Sequence, residues 1–231
     1  MKPFWRWSRR GLAFLVLLLL AWQGWYLGWV VWWKFVNPAT TSFMSLRLDE
    51  LREKDPRAEL KRQWAPYERV SAHLKRAVIA AEDARFSEHE GFDWEGIQKA
   101  LEKNQKKGRI VAGGSTITQQ LAKNLFLSGD KTPWRKAQEA VITLMLETVM
   151  DKRRILEIYL NVVEWGPGVF GAEAAARHYY GLSAAQLSSE QAARLAVLLP
   201  NPRKFGRLPN SPYLAARSQV ILGRMNSADV P

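Results

Sequence analysis

The chain opens on one long apolar run and continues as amphipathic segments of ordinary helix length. Between Gly11 and Trp33 the only clearly polar side chain is Gln23. About 20 apolar residues are enough to cross the hydrocarbon core of a bilayer, so this run predicts a membrane-spanning helix. Trp5 and Trp7 on one side, and Trp29, Trp32 and Trp33 on the other, suit the two membrane interfaces. No small-residue cleavage pattern follows the run, which predicts an uncleaved anchor. Lys2, Arg6, Arg9 and Arg10 cluster before it. Cations at that end predict a cytoplasmic N-terminus and an external C-terminal domain.

Asn37 to Pro66 has mixed charge and carries Pro38 and Pro56, so it reads as a linker and lead-in segment. Its Leu46, Leu48 and Leu51 fit a short strand or a turn. Tyr67 to Asp83 is predicted helical, with an apolar stripe at Val70, Leu74, Ala77, Val78 and Ala81. Phe92 to Arg109 carries Trp94, Ile97, Ala100 and Leu101 at helical spacing and then turns basic. Such a helix fits an anionic membrane surface or an ordinary solvated face equally well. Thr132-Pro133 reads as an N-cap with proline at the first helical position, opening a helix to Met150. Apolar residues on two of that helix's faces, Ala137, Ala140, Val141 and Leu144, then Ile142, Leu146 and Val149, predict burial around most of it. Helices are also expected at Lys152 to Asn161, where Arg153 and Glu157 are spaced to pair, at Gly171 to Tyr180 and at Leu187 to Leu199. Glu164 to Gly168 reads as a turn, and the polar tail from Asn226 is expected to fray. The organisation is thus a tail (1–10), a transmembrane helix (11–33), a linker (34–66) and one mainly α external domain (67–231).

Charge narrows the choice of partner. The 231 residues hold 34 Lys+Arg against 22 Asp+Glu, a net charge of +12. Such a surface favours nucleic acid, phospholipid head groups or a phosphorylated substrate. An external domain excludes nucleic acid and leaves lipid or a lipid-linked phosphate. There is no cysteine, so disulfides, thiolate metal sites and a cysteine nucleophile are excluded. The three histidines, His73, His89 and His178, form no HExxH pattern.

Candidate chemistry begins at Gly113-Gly114-Ser115-Thr116-Ile117-Thr118-Gln119-Gln120. The glycines give backbone freedom, and Thr116 and Gln119 stand at capping-box spacing. A helix start carries free N–H groups and the positive end of the dipole, which suits an anion, and Lys123 and Asn124 follow. Glu82 sits four residues after Val78, at the edge of an apolar stripe. Partial desolvation there raises a carboxyl pKa and makes a stronger base. Glu139 falls on the apolar side of its helix with Arg135 at i−4, as a buried carboxylate requires.

These stretches, in order, resemble the motifs of the peptidoglycan glycosyltransferases (glycosyltransferase family 51), in their monofunctional branch. Glu82-Asp83-x-x-Phe86-x-x-His89-x-Gly91 is similar to the first motif and the Gly113–Gln120 octapeptide to the second. Arg135-Lys136-x-x-Glu139 resembles the third, Lys152 to Asn161 the fourth, and Leu187 to Leu199, more loosely, the fifth. Gln138 stands where relatives often carry Lys, and Lys131 where some carry Arg. The resemblance implies a lysozyme-like helical domain with a small membrane-facing lobe. It implies polymerisation of lipid II, with the lipid-linked glycan strand as donor, by inverting transfer. Glu82 is then the general base and Glu139 the second essential carboxylate. Asp83, Phe86, His89, Gly114, Ser115, Thr116, Gln119, Gln120, Lys123, Asn124, Arg135, Lys136, Lys152, Tyr159 and Asn161 are expected at the substrate. The implied location is the bacterial inner membrane with the catalytic domain in the periplasm. Partners are membrane phospholipid and proteins of cell-wall synthesis or division. No cofactor is demanded; a divalent cation, Mg or Mn, is the one candidate, with no ligands assigned.

Two rival functions carry different signatures. A lytic transglycosylase cleaves glycan with one glutamate as general acid and needs no lipid-phosphate site, which the cations around Glu139 supply. A membrane-anchored inactive assembly protein would not need both Glu82 and Glu139.

Overall fold

The chain is described by a computed structural model over residues 2–109, 113–130, 132–208 and 211–231, with side chains from residue 9 onward. Lys131 and the side chains of Lys2, Trp5, Arg6 and Trp7 lie outside the described residues. Two compact units divide at Asn37/Pro38. The first is a single helix, α1 (Lys2–Phe35), whose segment Arg9–Phe35 is long and apolar enough to cross a membrane. It runs past the expected 11–33 span at both ends, since nothing in the flanking residues breaks a helix.

The second unit is helical with one small sheet. In order it holds α2 (Ser42–Arg52), β1 (Lys61–Arg62), α3 (Ala72–Glu82), α4 (Trp94–Lys107), α5 (Ile117–Phe126), α6 (Pro133–Val149) and α7 (Lys152–Val162). Then come β2 (Glu164–Gly166), β3 (Val169–Phe170), α8 (Ala172–Tyr180), α9 (Ser189–Ala196), α10 (Pro202–Phe205) and α11 (Pro212–Arg224). The sheet order is β1-β3-β2, with β1 parallel and β2 antiparallel to β3. One group of helices packs α3, α9 and α11 together; the other packs α5 against α2, α6 and α7. Trp165, Tyr159, Phe86 and Phe170 are fully buried among aliphatic side chains such as Leu74, Ile117 and Leu146.

Caps decide where most helices begin. Thr116 accepts from the Gln119 amide while the Gln119 side chain returns to the Thr116 amide, the expected capping box. Thr132 caps α6 with Pro133 at its first position, also as expected. The helix expected from Tyr67 begins later. Tyr67–Arg69 forms a separate 3-10 turn, Val70 is extended, and the Ser71 hydroxyl accepts the Leu74 amide to start α3.

Further expectations are corrected. Leu46, Leu48 and Leu51 lie on a helix rather than a strand or turn: Thr41 caps α2, which packs on α5. Of the turn expected over Glu164 to Gly168, Glu164–Gly166 is a hairpin arm and Pro167 and Gly168 form the turn itself. The α6 helix is buried on one face only, because Trp134, Val141 and Leu144 remain exposed. The tail is docked rather than frayed: Met225 and Ala228 are buried, the Ser87 hydroxyl donates to the Asp229 carbonyl at 3.3 Å, and the Tyr67 hydroxyl donates to the Pro231 carbonyl. Arg153 also pairs with Glu68 instead of Glu157, which Arg154 takes at 2.8 Å.

Asn161 belongs to this framework. Its Oδ1 accepts the Ala65 amide at 2.7 Å, and its Nδ2 donates to the carbonyls of Ala65 at 2.9 Å and Glu157 at 2.8 Å. That amide ties the backbone at Ala65 to α7, a framework role. Asn161→Ala strands buried backbone groups and is expected to lower unfolding free energy by about 1–3 kcal/mol. Denaturant melting of the full chain in detergent reads this; an unchanged midpoint would contradict the assignment.

Candidate active site

Glu82 ends α3 and faces a cavity of about 500 Å³. Ser115 and Gln120 from the start of α5, Pro200 beyond α9, and Tyr213 and Arg217 from α11 contribute other walls. Gly114 lies close against α4: a Cβ on it would stand 3.1 Å from the Ile97 Cα, so a larger residue would require a shift of a few tenths of an ångström.

The carboxylate is held, not buried blindly. Gln120 donates from Nε2 to Glu82 Oε2 at 2.7 Å, and Tyr159 donates its hydroxyl to Gln120 Oε1 at 3.0 Å. Burial holds the Tyr159 phenol neutral, well above its usual range, with Glu82 and Asp83 adding to the effect. A neutral phenol is an O–H donor, so it fixes which way the Gln120 amide points. Desolvation pushes the Glu82 carboxyl above the usual carboxylate range. The Gln120 hydrogen bond and then Lys123 oppose this, Asp83 adds to it, and Arg217 opposes it. The net result is a carboxyl that takes a proton more readily than one in water.

A second cavity of about 220 Å³ shares Gln120 and Pro200 with the first and is lined by Lys123 and Asn124. Desolvation lowers the Lys123 pKa; Glu139 opposes that shift, while Arg135 and Lys136 reinforce it. Glu139 itself is buried and doubly engaged. Arg135 Nη1 meets Oε2 at 2.5 Å, and Lys136 Nζ meets Oε1. With a cation on each carboxylate oxygen, Glu139 fixes the positions of both. This donor set does not fit a resident divalent cation: Glu139 has its oxygens occupied, and among the described residues no three His, Asp or Glu side chains converge.

Several expected substrate residues build the frame. Asp83 Oδ2 accepts the Ile117 amide at 3.0 Å and Oδ1 meets His89 Nε2 at 2.9 Å. Thr116 donates to the Gly91 carbonyl at 2.7 Å, and Gln119 closes the capping box. Phe86 is fully buried. Lys152 pairs with Glu147 at 2.8 Å, with Nζ 4.6 Å from the centre of the Phe86 ring. Asp83, Phe86, His89, Thr116, Gln119 and Tyr159 thus also build the frame around the cavities, and His89 Nδ1 is buried with no hydrogen-bond partner among the described residues. Glu82, Ser115, Gln120, Lys123 and Asn124 reach cavities.

Tyr213 and Arg217 were missed because α11 was. Ser211-Pro212 is a cap with proline at the first position, and Leu214, Ser218, Ile221 and Met225 recur at helical spacing on its buried side. The serine in that stripe hid the pattern.

A carboxylate of raised pKa near a cluster of cations, on a mostly helical unit preceded in the sequence by one helix apolar enough to cross a membrane, is the arrangement of an enzyme. The sequence matches the family described as Transglycosylase over residues 49–226, and the chain belongs to that family. It is 64% identical over 231 residues to a biosynthetic peptidoglycan transglycosylase of Dechloromonas aromatica, covering 100% of each chain. It is similar to the proteins of the same name from Azoarcus sp., at 63% over 100% of each chain, and Nitrosospira multiformis, at 61% over 99% of each.

The raised Glu82 pKa has a consequence for stability. In the unfolded chain this carboxyl titrates near 4.5. Folded, it holds its proton to higher pH, so its stabilising effect is complete below the unfolded value and is lost as pH rises through the folded one. Glu82→Gln removes that loss. The variant is expected to melt above wild type at about pH 7.5, with the gap closing as pH falls below the unfolded value. Parallel thermal melts across pH check this; a lower melting point for the variant at neutral pH would contradict it.

Proposed function

We propose that this chain polymerises lipid II into peptidoglycan glycan strands and releases polyprenyl pyrophosphate. The observation that carries the reading is Glu82, held by Gln120 at 2.7 Å, on the cavity next to the one lined by Lys123. The Glu82 cavity takes the acceptor, since a base must reach the hydroxyl it deprotonates. The Lys123 cavity takes the donor strand and its leaving group. The acceptor GlcNAc 4-hydroxyl attacks C1 of the donor MurNAc, and its proton passes to Glu82. The C1–oxygen bond to pyrophosphate breaks on the opposite face, so α becomes β. Pyrophosphate departs already ionised and needs charge stabilisation, not a general acid. Lys123, Arg135 and Lys136 supply it, and Glu139 holds two of those cations in place. The names of the full-length relatives support the same activity. A lytic enzyme of one general acid would have no use for this cation cluster.

The setting follows from α1 and the surface. Arg9 and Arg10 before the apolar span favour a cytoplasmic N-terminus and a periplasmic catalytic unit on the inner membrane. Exposed Trp94, Leu101, Trp134 and Leu144 support contact with phospholipid.

Two measurements test this. Glu82→Gln keeps size and the Gln120 hydrogen bond but cannot accept the proton, so polymerisation of lipid II is expected to fall by about 10²- to 10⁴-fold. Lipid II binding persists in that variant, whereas Glu139→Gln, which frees Arg135 and Lys136, weakens binding as well as rate. Near wild-type polymerisation by a folded Glu82→Gln protein would rule the base assignment out. For topology, alkaline phosphatase fused to the C-terminus is expected to be active in cells, and an inactive fusion would reverse the orientation.

A further inference from the structure

Beyond the Lys123 cavity lies a third, open cavity of about 650 Å³, lined by Arg47, Asn201, Arg203, Lys204, Arg207 and Leu208. It shares Arg47, Asn201 and Arg203 with the Lys123 cavity, so the two adjoin. Four of its six lining residues are cations and none is an acid. Arg47 is committed to Glu50 at 2.8 Å and Glu164 at 3.1 Å, and Arg203 meets Glu50 at 3.3 Å. Lys204 and Arg207 have no ion-pair partner among the described residues.

The cations sit on a fixed platform. Asn201 caps the short helix α10, its Oδ1 accepting the Lys204 amide at 3.3 Å. Gly206 follows, packed so closely that a Cβ on it would stand 2.6 Å from the Pro202 carbonyl oxygen and 2.7 Å from the Tyr179 hydroxyl. That hydroxyl donates to the Trp165 carbonyl at 3.1 Å. The turn carrying Arg203, Lys204 and Arg207 is therefore seated on the hairpin arm β2.

We propose that Arg203, Lys204 and Arg207, with Arg47, form a subsite for the carboxylates of a peptide stem on the elongating strand. The inference rests on the polymerase reading above. A donor strand carries one pyrophosphate, at its reacting end, and the Lys123 cluster meets that group. Further along the strand the sugars are uncharged, and the remaining anions are the acidic peptides on each MurNAc lactyl group. A cationic groove that begins where the Lys123 cavity ends faces those stems. Lys204 and Arg207 are the specificity-determining pair, because Arg47 and Arg203 are partly neutralised by Glu50 and Glu164. Successive repeats present the same anion, so the subsite holds a strand after each addition.

The test uses the full chain in uncharged detergent and a soluble, lipid-free glycan of two disaccharide-peptide repeats. Its stems are either free acids or fully amidated. Lys204→Glu/Arg207→Glu is the main variant, and Lys204→Gln/Arg207→Gln guards against misfolding by charge reversal. Wild type is expected to bind the acidic glycan about ten-fold more tightly than the amidated one at low salt. That preference weakens as salt rises. Both variants lose the preference and keep the affinity for the amidated glycan. On lipid II the variants are expected to make shorter strands from acidic-stem substrate and unchanged strands from amidated substrate. Equal preference in variant and wild type would overturn the proposal, as would an equal loss on both glycans. A defect that appears only on vesicles containing anionic phospholipid would assign the groove to the membrane instead, and also overturn it. A wild type that shows the binding preference yet makes no polymer would preserve the subsite and refute the polymerase reading.

Discussion

The Asp83 carboxylate fastens the end of one helix to the start of another, and the site depends on that fastening. Its Oδ2 accepts the first amide of α5 at 3.0 Å, and its Oδ1 meets His89 at 2.9 Å. Asp83 itself follows the last residue of α3, which is Glu82. One buried side chain therefore sets the separation between the base and the helix that carries Gln120 and Lys123. An acidic group at a helix start is favoured by the free N–H groups and the dipole, so the contact stabilises as it positions. Thr116 adds a second tie by donating to the Gly91 carbonyl, and the loop from Asp83 to Gly91 is thereby pinned at both ends.

Two carboxylates in one site have been given opposite environments. Glu139 has a cation on each oxygen. Glu82 has one neutral amide and a pKa raised first by burial. In the proposed reaction this difference of surroundings divides the labour: Glu82 would take the proton, and Glu139 would hold the cations that meet the leaving group. Burying Glu82 without a direct cation costs stability at neutral pH, and that cost is the condition for its basicity.

How much of this was legible in the sequence depends on the range of the interaction. The capping box at Thr116 and Gln119 and the Thr132-Pro133 start are local, and both stand as read. Glu82 and Glu139 were marked by their place relative to apolar stripes, which is also local. The Asp83–Ile117 and Asn161–Ala65 bonds join residues 34 and 96 apart, and no spacing rule reports such pairs. The framework ties of Asp83 and Asn161 are therefore visible only in the structure. Apolar periodicity also says that a face is apolar without saying what covers it. Hence α6 was expected to be buried around most of its surface, although Trp134 and Leu144 are exposed. The α11 helix failed for the converse reason, since Ser218 is buried within its stripe, its hydroxyl satisfied by the Ala215 carbonyl at 2.8 Å.

Lys123 is partly buried, and its pKa is lowered by desolvation and by the nearby charges of Arg135 and Lys136. Like charges held together without full solvation raise the energy of the empty site. Glu139 relieves part of that and cannot relieve all of it, because its two oxygens are already shared between Arg135 and Lys136. In the polymerisation we propose, an incoming pyrophosphate would replace the missing counter-charge, so binding energy would be concentrated at the leaving group rather than spread along the strand. That concentration favours charge that develops during bond cleavage, which is where stabilisation raises a rate rather than merely tightening binding. The price is a site that holds its product pyrophosphate as well. Release is then helped by a strand gripped elsewhere, so that the lipid carrier departs while the polymer remains.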